Sequence, residues 1–441
     1  MPVLQGIKLR IDQALNLQER EFPALALAFV YFFCLLGGYY ILRPVRDQMG
    51  IAGGVDNLQW LFTGTFVAML CAVPAFGWLV ARFPRRRFMP TVYRFFIANL
   101  ALFWLLFQWP EAEVHTARAF FIWVSVYNLF VISVFWSYMA DIFTRQQGTR
   151  LFGAIAAGGT LGALTGPALT ALLAEDIGTV NLLLITAVLL EVAVFCIRRL
   201  ARFDFRSAAE RQESDSEDGN RGNRPIGGNI LAGATAFFRS PHLLGIGAFI
   251  LLYTLTSTFL YFQQAEIIEN AFDDPDRRTQ VFAIIDLTVN LLTLSLQLFV
   301  TGRLLQWTGT AFGLALLPVL SAIGFLGLAL SPGLIVLVGF QSLRRATNYA
   351  ITRPSREVLF TSIPLEQRYK AKNFIDTVVY RGGDAVSGWL YSGLGALGLG
   401  LAGTALMAVP VALIWLFIGY WIGQRHDRQT DRQTQTAETP S

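Results

Sequence analysis

Residues Gln341 to Gly388 read QSLRRATNYAITRPSREVLFTSIPLEQRYKAKNFIDTVVYRGGDAVSG, and eight Lys/Arg and four Asp/Glu fall within these forty-eight positions. The chain on both sides is apolar enough to face lipid, so these charges need a reason. If a helix enters the bilayer near Gly333, Arg344 and Arg345 lie about 16 to 18 Å along it, close to the midplane. A charge at that depth costs at least about 2.5 to 3.5 kcal/mol and so faces a polar cavity or an ion partner. Two readings follow. Either Arg344 or Arg345 is neutralised by Asp376 or Asp384 on the next helix, or the pair serves a substrate or coupling ion.

The rest of the chain fits that setting. Of its 441 residues 54% are hydrophobic and only 15% charged, with a mean hydropathy of +0.49; soluble domains carry about 25% charged residues. Twelve apolar runs of roughly 20 residues are each long enough to cross a bilayer. The net charge of +5 sits in short loops, where it sets orientation and does not call for nucleic acid. Cys34, Cys71 and Cys196 lie inside apolar runs as packing residues, and His115, His242 and His426 are scattered, so neither a metal nor a cofactor is expected.

Taken in order, residues 1–21 form an N-terminal segment whose apolar residues among charges suit a surface helix. Span one runs from Phe22 to Leu42, is retained and not a cleaved signal, and ends in Arg43, Pro44, Arg46 and Asp47. Those arginines either snorkel to the interface or line a cavity. Span two, about 57–80, leads into GWLVARFPRRR, and TGRLLQWTG follows span eight about 225 residues later, a weak internal repeat. Spans three and four cover about 90–109 and 119–140; span five, GAIAAGGTLGALTGP, has the small-residue density of close helix packing and no phosphate loop. Span six, about 179–197, carries a lone Glu191, expected at a helix interface or cavity as a structural carboxyl or a coupling site. Residues 201–230 are charged and Gly/Ser/Asn-rich, a cytoplasmic linker between a 22–200 bundle and a 231–424 bundle.

In the second half, span seven, about 241–264, ends in TSTFLYFQQAE, and span eight places Asp286, Asn290, Thr293 and Gln297 on one helical stripe. Spans nine and ten cover about 310–330 and 333–355, with the two midplane arginines and Asn348 on span ten and Glu357 just beyond it. Span eleven shows a second stripe, Asp376, Tyr380, Asp384 and Ser387, beside Arg381; span twelve closes at Trp421 and Ile422 before a disordered tail, 425–441. With the N-terminus inside, inner loops hold Arg82, Arg85, Arg86, Arg87, Arg145, Arg150, Arg303, Arg353, Arg356, Arg368, Lys370 and Lys372, against Arg43, Arg46, Arg118, Arg277 and Arg278 outside. Twelve against five puts both termini in the cytoplasm of a bacterial inner membrane.

The motifs PSRE, FTSIPLE, KAKNFID and RGGD resemble the second-half signature of the ATP/ADP translocases, and YILRPVRD resembles that family's first-helix segment ending in Lys-Asp, here Arg46 and Asp47. The loop after span two resembles the signature of the major facilitator superfamily. The resemblance implies nucleotide exchange, yet the family's eleventh-helix lysine falls on Asp384 and its seventh-helix acid near Gln263 or Gln264. The acid of the fourth helix has no counterpart around Val124 to Asn128.

The expected protein is therefore an all-α integral membrane protein, twelve transmembrane helices in two six-helix bundles, major-facilitator-like and a monomer in lipid. It is read as an alternating-access carrier of an organic anion, a nucleotide or another phosphorylated or carboxylated metabolite. Arg43, Arg46, Arg344, Arg345, Asn348, Tyr380 and Arg381 are its candidate binding residues, because arginine's planar fork suits phosphate and carboxylate. Asp47, Glu191, Asp286, Asn290, Glu357, Asp376 and Asp384 are candidates for coupling, with protons as the coupled ion. The alternative is proton-coupled transport of another metabolite or a drug. A non-transporting sensor would need an output domain, and an enzyme would need a motif such as HExxH or GxSxG, neither of which the sequence contains.

Overall fold

Hydrocarbon offers no partner to a free peptide group, so an apolar run that crosses it must close its backbone hydrogen bonds within itself as a helix. The computed structural model describes residues 21–82, 85–203, 235, 237–361, 363, 371–372 and 374–438, and among them there is helix and no strand. The N-terminal segment through residue 20, the linker beyond residue 203, and Arg368 and Lys370 lie outside the described residues.

Spans one to six are Glu21–Ala52, Leu58–Arg82, Arg85–Leu106, Glu113–Ile142, Arg145–Ile177 and Leu182–Leu200, and span seven is Pro241–Ala271. From Pro275 to Leu330 the chain is one apolar stretch of 56 residues, about 84 Å of helix and too long for a single crossing. It is divided at Gly309, whose φ of 75° breaks the helical path. Only glycine takes that conformation without steric cost. Asp427 then accepts from the amides of Thr310 and Ala311 at 3.2 and 3.1 Å, capping the start of span nine. Span ten is Leu334–Thr347, a π-helical turn at Asn348–Thr352, and Arg353–Leu359. Span eleven joins a π turn at Ile375–Val379 to Tyr380–Ala396, and span twelve is Leu401–Glu438. Nine helices among the described residues are apolar enough to cross unaided. Spans eight and nine are fused in that number, and the charged spans ten and eleven are absent from it.

Span twelve corrects the expectation of a disordered tail from residue 425, because the helix continues to Glu438. QRHDRQTDRQTQTAE holds neither Pro nor Gly to stop it, and Gln, Arg and Glu propagate helix well.

The chain divides into two compact units that are not contiguous in sequence. The first takes in residues 1–49, 71–224 and 275–284, and the second residues 50–70, 225–274 and 285–441. In the first unit, spans one and five meet along a seam of glycines. A Cβ added at Gly158 would stand 2.5 Å from the Phe29 carbonyl oxygen, and one at Gly166 would stand 2.6 Å from that of Gly37. Glu21, buried at the start of span one, accepts from Gln147 at 2.7 Å and pairs with Arg150 at 3.0 Å, fixing the other end of the contact. The opening turns of span eight belong to this unit through Asp276, which accepts from the Thr179 amide at 2.7 Å, and through Gln280, which donates to the Ala171 carbonyl at 3.0 Å.

In the second unit the opening of span two packs on span eleven: Trp60 meets Trp389 edge-on at 4.7 Å, and the Trp389 indole donates to Thr63 at 3.0 Å. Its core gathers Phe249, Ile250, Leu314, Leu317, Ile375 and Trp415. Large apolar side chains such as Leu172, Phe299, Ile335 and Phe417 are exposed, as a lipid-facing surface requires.

Candidate functional site

Span seven carries an uncommon run for an apolar helix, YTLTST at 253–258, whose hydroxyls include those of the buried Thr254, Thr256 and Thr258. Arg344 of span ten, 1% exposed, uses them. Its Nη2 donates to Thr256 at 2.9 Å, Nη1 to Ser257 at 3.4 Å and Nε to Ser321 of span nine at 3.1 Å. The guanidinium also lies 5.4 Å from the Tyr253 ring centroid. Its partners are hydroxyls and a π face, not carboxylates.

Tyr253 links this cation to the next elements. Its hydroxyl accepts from Asn348 at 3.1 Å, and its ring stands 5.9 Å from that of Tyr380 on span eleven. Arg381 lies 5.5 Å from the Tyr380 ring and pairs with Asp384 at 3.6 Å, while Thr258 donates to Asp384 at 3.4 Å. Gly383 makes the approach possible, since a Cβ there would run into the Thr254 hydroxyl. Five of the expected residues, Arg344, Asn348, Tyr380, Arg381 and Asp384, therefore come together through spans seven, ten and eleven. Tyr253, Thr256, Ser257 and Ser321 join them. The hydroxyl-rich run in span seven is the signal that could have identified three of these four.

The pairing of the midplane arginines differs from the expectation. Arg345 bridges to Asp286 of span eight at 2.7 Å, with side chains 12% and 2% exposed, and neither midplane arginine pairs with Asp376 or Asp384. Asp384 is engaged by Arg381 three residues before it on its own helix. Asp376 lies inside the π turn, which shifts its register from that of Asp384, and it is exposed and 3.9 Å from Arg356. The stripe on span eight is likewise interrupted, because a π turn begins at Gln297, while half-buried Asn290 lies one turn beyond Asp286. π turns cluster at functional sites in helices, and here they fall on the three spans that carry these charges.

Glu357, in the last turns of span ten, and Asp376, in the π turn that opens span eleven, belong to a second group. Glu357 pairs with Lys372 and, at 3.2 Å, with Arg356.

In the first unit, Arg46 donates through Nε and Nη2 to its neighbour Asp47 at 3.0 and 2.6 Å and stands 5.2 Å from the Phe121 ring. Arg43 lies 6.0 Å from the Tyr40 ring. Glu191 of span six is 55% exposed and pairs with Arg94 of span three at 3.0 Å, so the two charges neutralise each other between two helices.

Comparison with known proteins adds the family. Residues 25–355 match the model of the Major Facilitator Superfamily. No curated protein sequence matches the chain. Among solved structures, the POT family transporter PepTSo is similar at 13% identity with a TM-score of 0.64, covering 92% of this chain and 98% of that one. The nucleoside transporter NupG is similar at 14% identity with a TM-score of 0.63, over 92% and 99%. A POT family transporter solved with 5-aminolevulinic acid is similar at 11% identity and 0.61, over 91% and 96%. At these identities the likeness is one of fold.

Proposed function

We propose, from the premise that the chain belongs to the Major Facilitator Superfamily, that it is a secondary transporter of a small organic anion of low charge. The observation that carries this reading is Arg344, a fully buried guanidinium satisfied by hydroxyls and balanced by no carboxylate among the described residues. Around it Arg345 is matched by Asp286 and Arg381 by Asp384, so among the described residues Arg344 is the cation of the group without a carboxylate. An anion with a planar carboxylate or a phosphate monoester supplies the missing charge, and arginine's fork and the Asn348 amide suit its oxygens. The resemblance to ATP/ADP translocases makes nucleotides the first class to try. ATP, however, is a polyanion, and buried carboxylates such as Asp384 oppose it. A nucleoside monophosphate, sugar phosphate or carboxylate fits the balance better. The neighbours described as peptide and nucleoside transporters are in keeping with a small metabolite. Asp384, held between Thr258 and Arg381, is the carboxyl best placed to exchange a proton as the substrate charge enters and leaves.

Uptake into proteoliposomes tests this, with labelled ATP and the smaller anions compared with and without a pH gradient. Arg344→Met is the informative variant. An apolar isostere removes the cost of burying an unbalanced charge, so the variant should fold and melt no lower while losing uptake. Wild-type uptake in Arg344→Met would end the anion reading. ATP/ADP exchange that ignores the gradient and survives Asp384→Asn would restore nucleotide exchange in full.

A further inference from the structure

The groups around Arg344 differ in whether they still have a hydrogen to give. Thr256 and Ser321 have none to spare: Thr256 donates to the Leu252 and Tyr253 carbonyls at 2.9 and 3.0 Å, and Ser321 donates to the Leu317 carbonyl at 2.8 Å. A hydroxyl carries one proton, so toward Arg344 these two act only as acceptors. They hold Nη2 and Nε at 2.9 and 3.1 Å and fix the plane of the guanidinium. Both are fully buried.

The third edge of the guanidinium is held differently. Ser257 accepts from Nη1 at 3.4 Å, the longest of the three bonds, and gives its own proton to no acceptor among the described residues. Tyr253 accepts from one Asn348 N–H at 3.1 Å and keeps its hydroxyl proton on the same terms, while Asn348 retains a second N–H. These three side chains are half-buried, whereas Arg344 is closed off. Tyr253 and Ser257, four positions apart, share one face of span seven, and Arg344 and Asn348 likewise share one face of span ten. The two cross-links are therefore rungs one turn apart between the same two helices. Unspent donors lie on both, beside the one edge of Arg344 that is loosely held.

Charge narrows what these donors can take. Arg344 offers a single positive charge, and Asp384 is bonded to Thr258, the residue next to Ser257. A carboxylate brings one negative charge and two oxygens with about four acceptor positions. A phosphate monoester brings about 1.5 to 2 negative charges and leaves an excess beside Asp384, where like charges repel.

We propose that the site selects a monocarboxylate over a phosphate. One carboxylate oxygen replaces Ser257 as the acceptor of Arg344 Nη1, and the other takes the free hydrogens of Tyr253 and Asn348. Ser257 then turns its hydroxyl to the same carboxylate. Tyr253 and Ser257 are thus specificity-determining residues, and Thr256 and Ser321 are positioning residues that aim the arginine. The assignment rests on the reading of the Arg344 cluster as the anion site.

Ligand-dependent melting of the purified full chain at pH 7 tests it, since a ligand that binds the folded state raises the melting temperature with its concentration. Benzoate and gluconate are compared with phenyl phosphate and glucose 6-phosphate, which carry a phosphate on a similar body. At least one carboxylate should bind about tenfold or more tightly than its phosphate counterpart. Ser257→Ala and Tyr253→Phe should each weaken that carboxylate about tenfold, and Ser257→Thr, which keeps the hydroxyl, should bind it as the wild type does. The wild-type comparison and Ser257→Thr stay readable even if Ser257→Ala fails to fold. No response to either carboxylate, unchanged affinity in Ser257→Ala or Tyr253→Phe, or an equal loss in Ser257→Thr would overturn the proposal. Phosphate binding as tight as the carboxylates' and lost in Arg344→Met would overturn it while leaving the anion reading intact. Carboxylate binding undiminished in Arg344→Met would overturn both.

Discussion

Spans five and ten both need close neighbours, and they meet that need in opposite ways. Span five removes side chains: Gly158, Gly162 and Gly166 bring its backbone against Phe29, Phe33 and Gly37 of span one. Packing of this kind holds helices together in lipid, where burial of apolar surface gives no net drive. Span ten instead buries two arginines and supplies each with partners, hydroxyls for Arg344 and Asp286 for Arg345. A glycine seam has one arrangement, whereas a charged helix can exchange partners. The first is suited to a rigid seam and the second to a site whose charges change hands, which is where three π turns also fall.

The contrast breaks most readily at span ten. Asp286→Asn leaves Arg345 without its carboxylate and should destabilise the protein by about 3 to 5 kcal/mol, read as a fall in melting temperature in detergent. Adding Arg345→Met should restore much of the loss. If the double variant melts as low as the single one, the pair is not the unit described here. At span five, Gly162→Ala places a Cβ 2.7 Å from the Gly37 nitrogen and should cost about 1 to 3 kcal/mol through overpacking. A wild-type melting temperature would show that the seam can open and is not rigid. The smallest effect belongs to Glu191→Gln. Its exposed pair with Arg94 is worth about 0 to 1 kcal/mol, so neither stability nor uptake should change measurably, and a loss of uptake would return Glu191 to the coupling residues.

The openings of spans two and eight offer a parallel of another kind. Each packs in the compact unit formed mainly by the other half of the sequence, span two through Trp60 and Thr63 and span eight through Asp276 and Gln280. The likeness of GWLVARFPRRR and TGRLLQWTG is a weak sign of two related halves. It could not show that the compact units exchange these segments, because neither loop motif takes part in the exchange.

Much was legible in the residues alone, and for a definite reason. The length of an apolar run decides whether it crosses a bilayer, so twelve spans, a helical fold and the small-residue seam of span five follow from local composition. The rise of a helix likewise put Arg344 and Arg345 near the midplane, and its periodicity put Asp286 on a polar stripe. Tertiary structure alone decided which charge meets which. Periodicity assigns a side chain to a face but not to a neighbour, and a π turn moves the face itself, so Arg345 met Asp286 and Asp376 met Arg356.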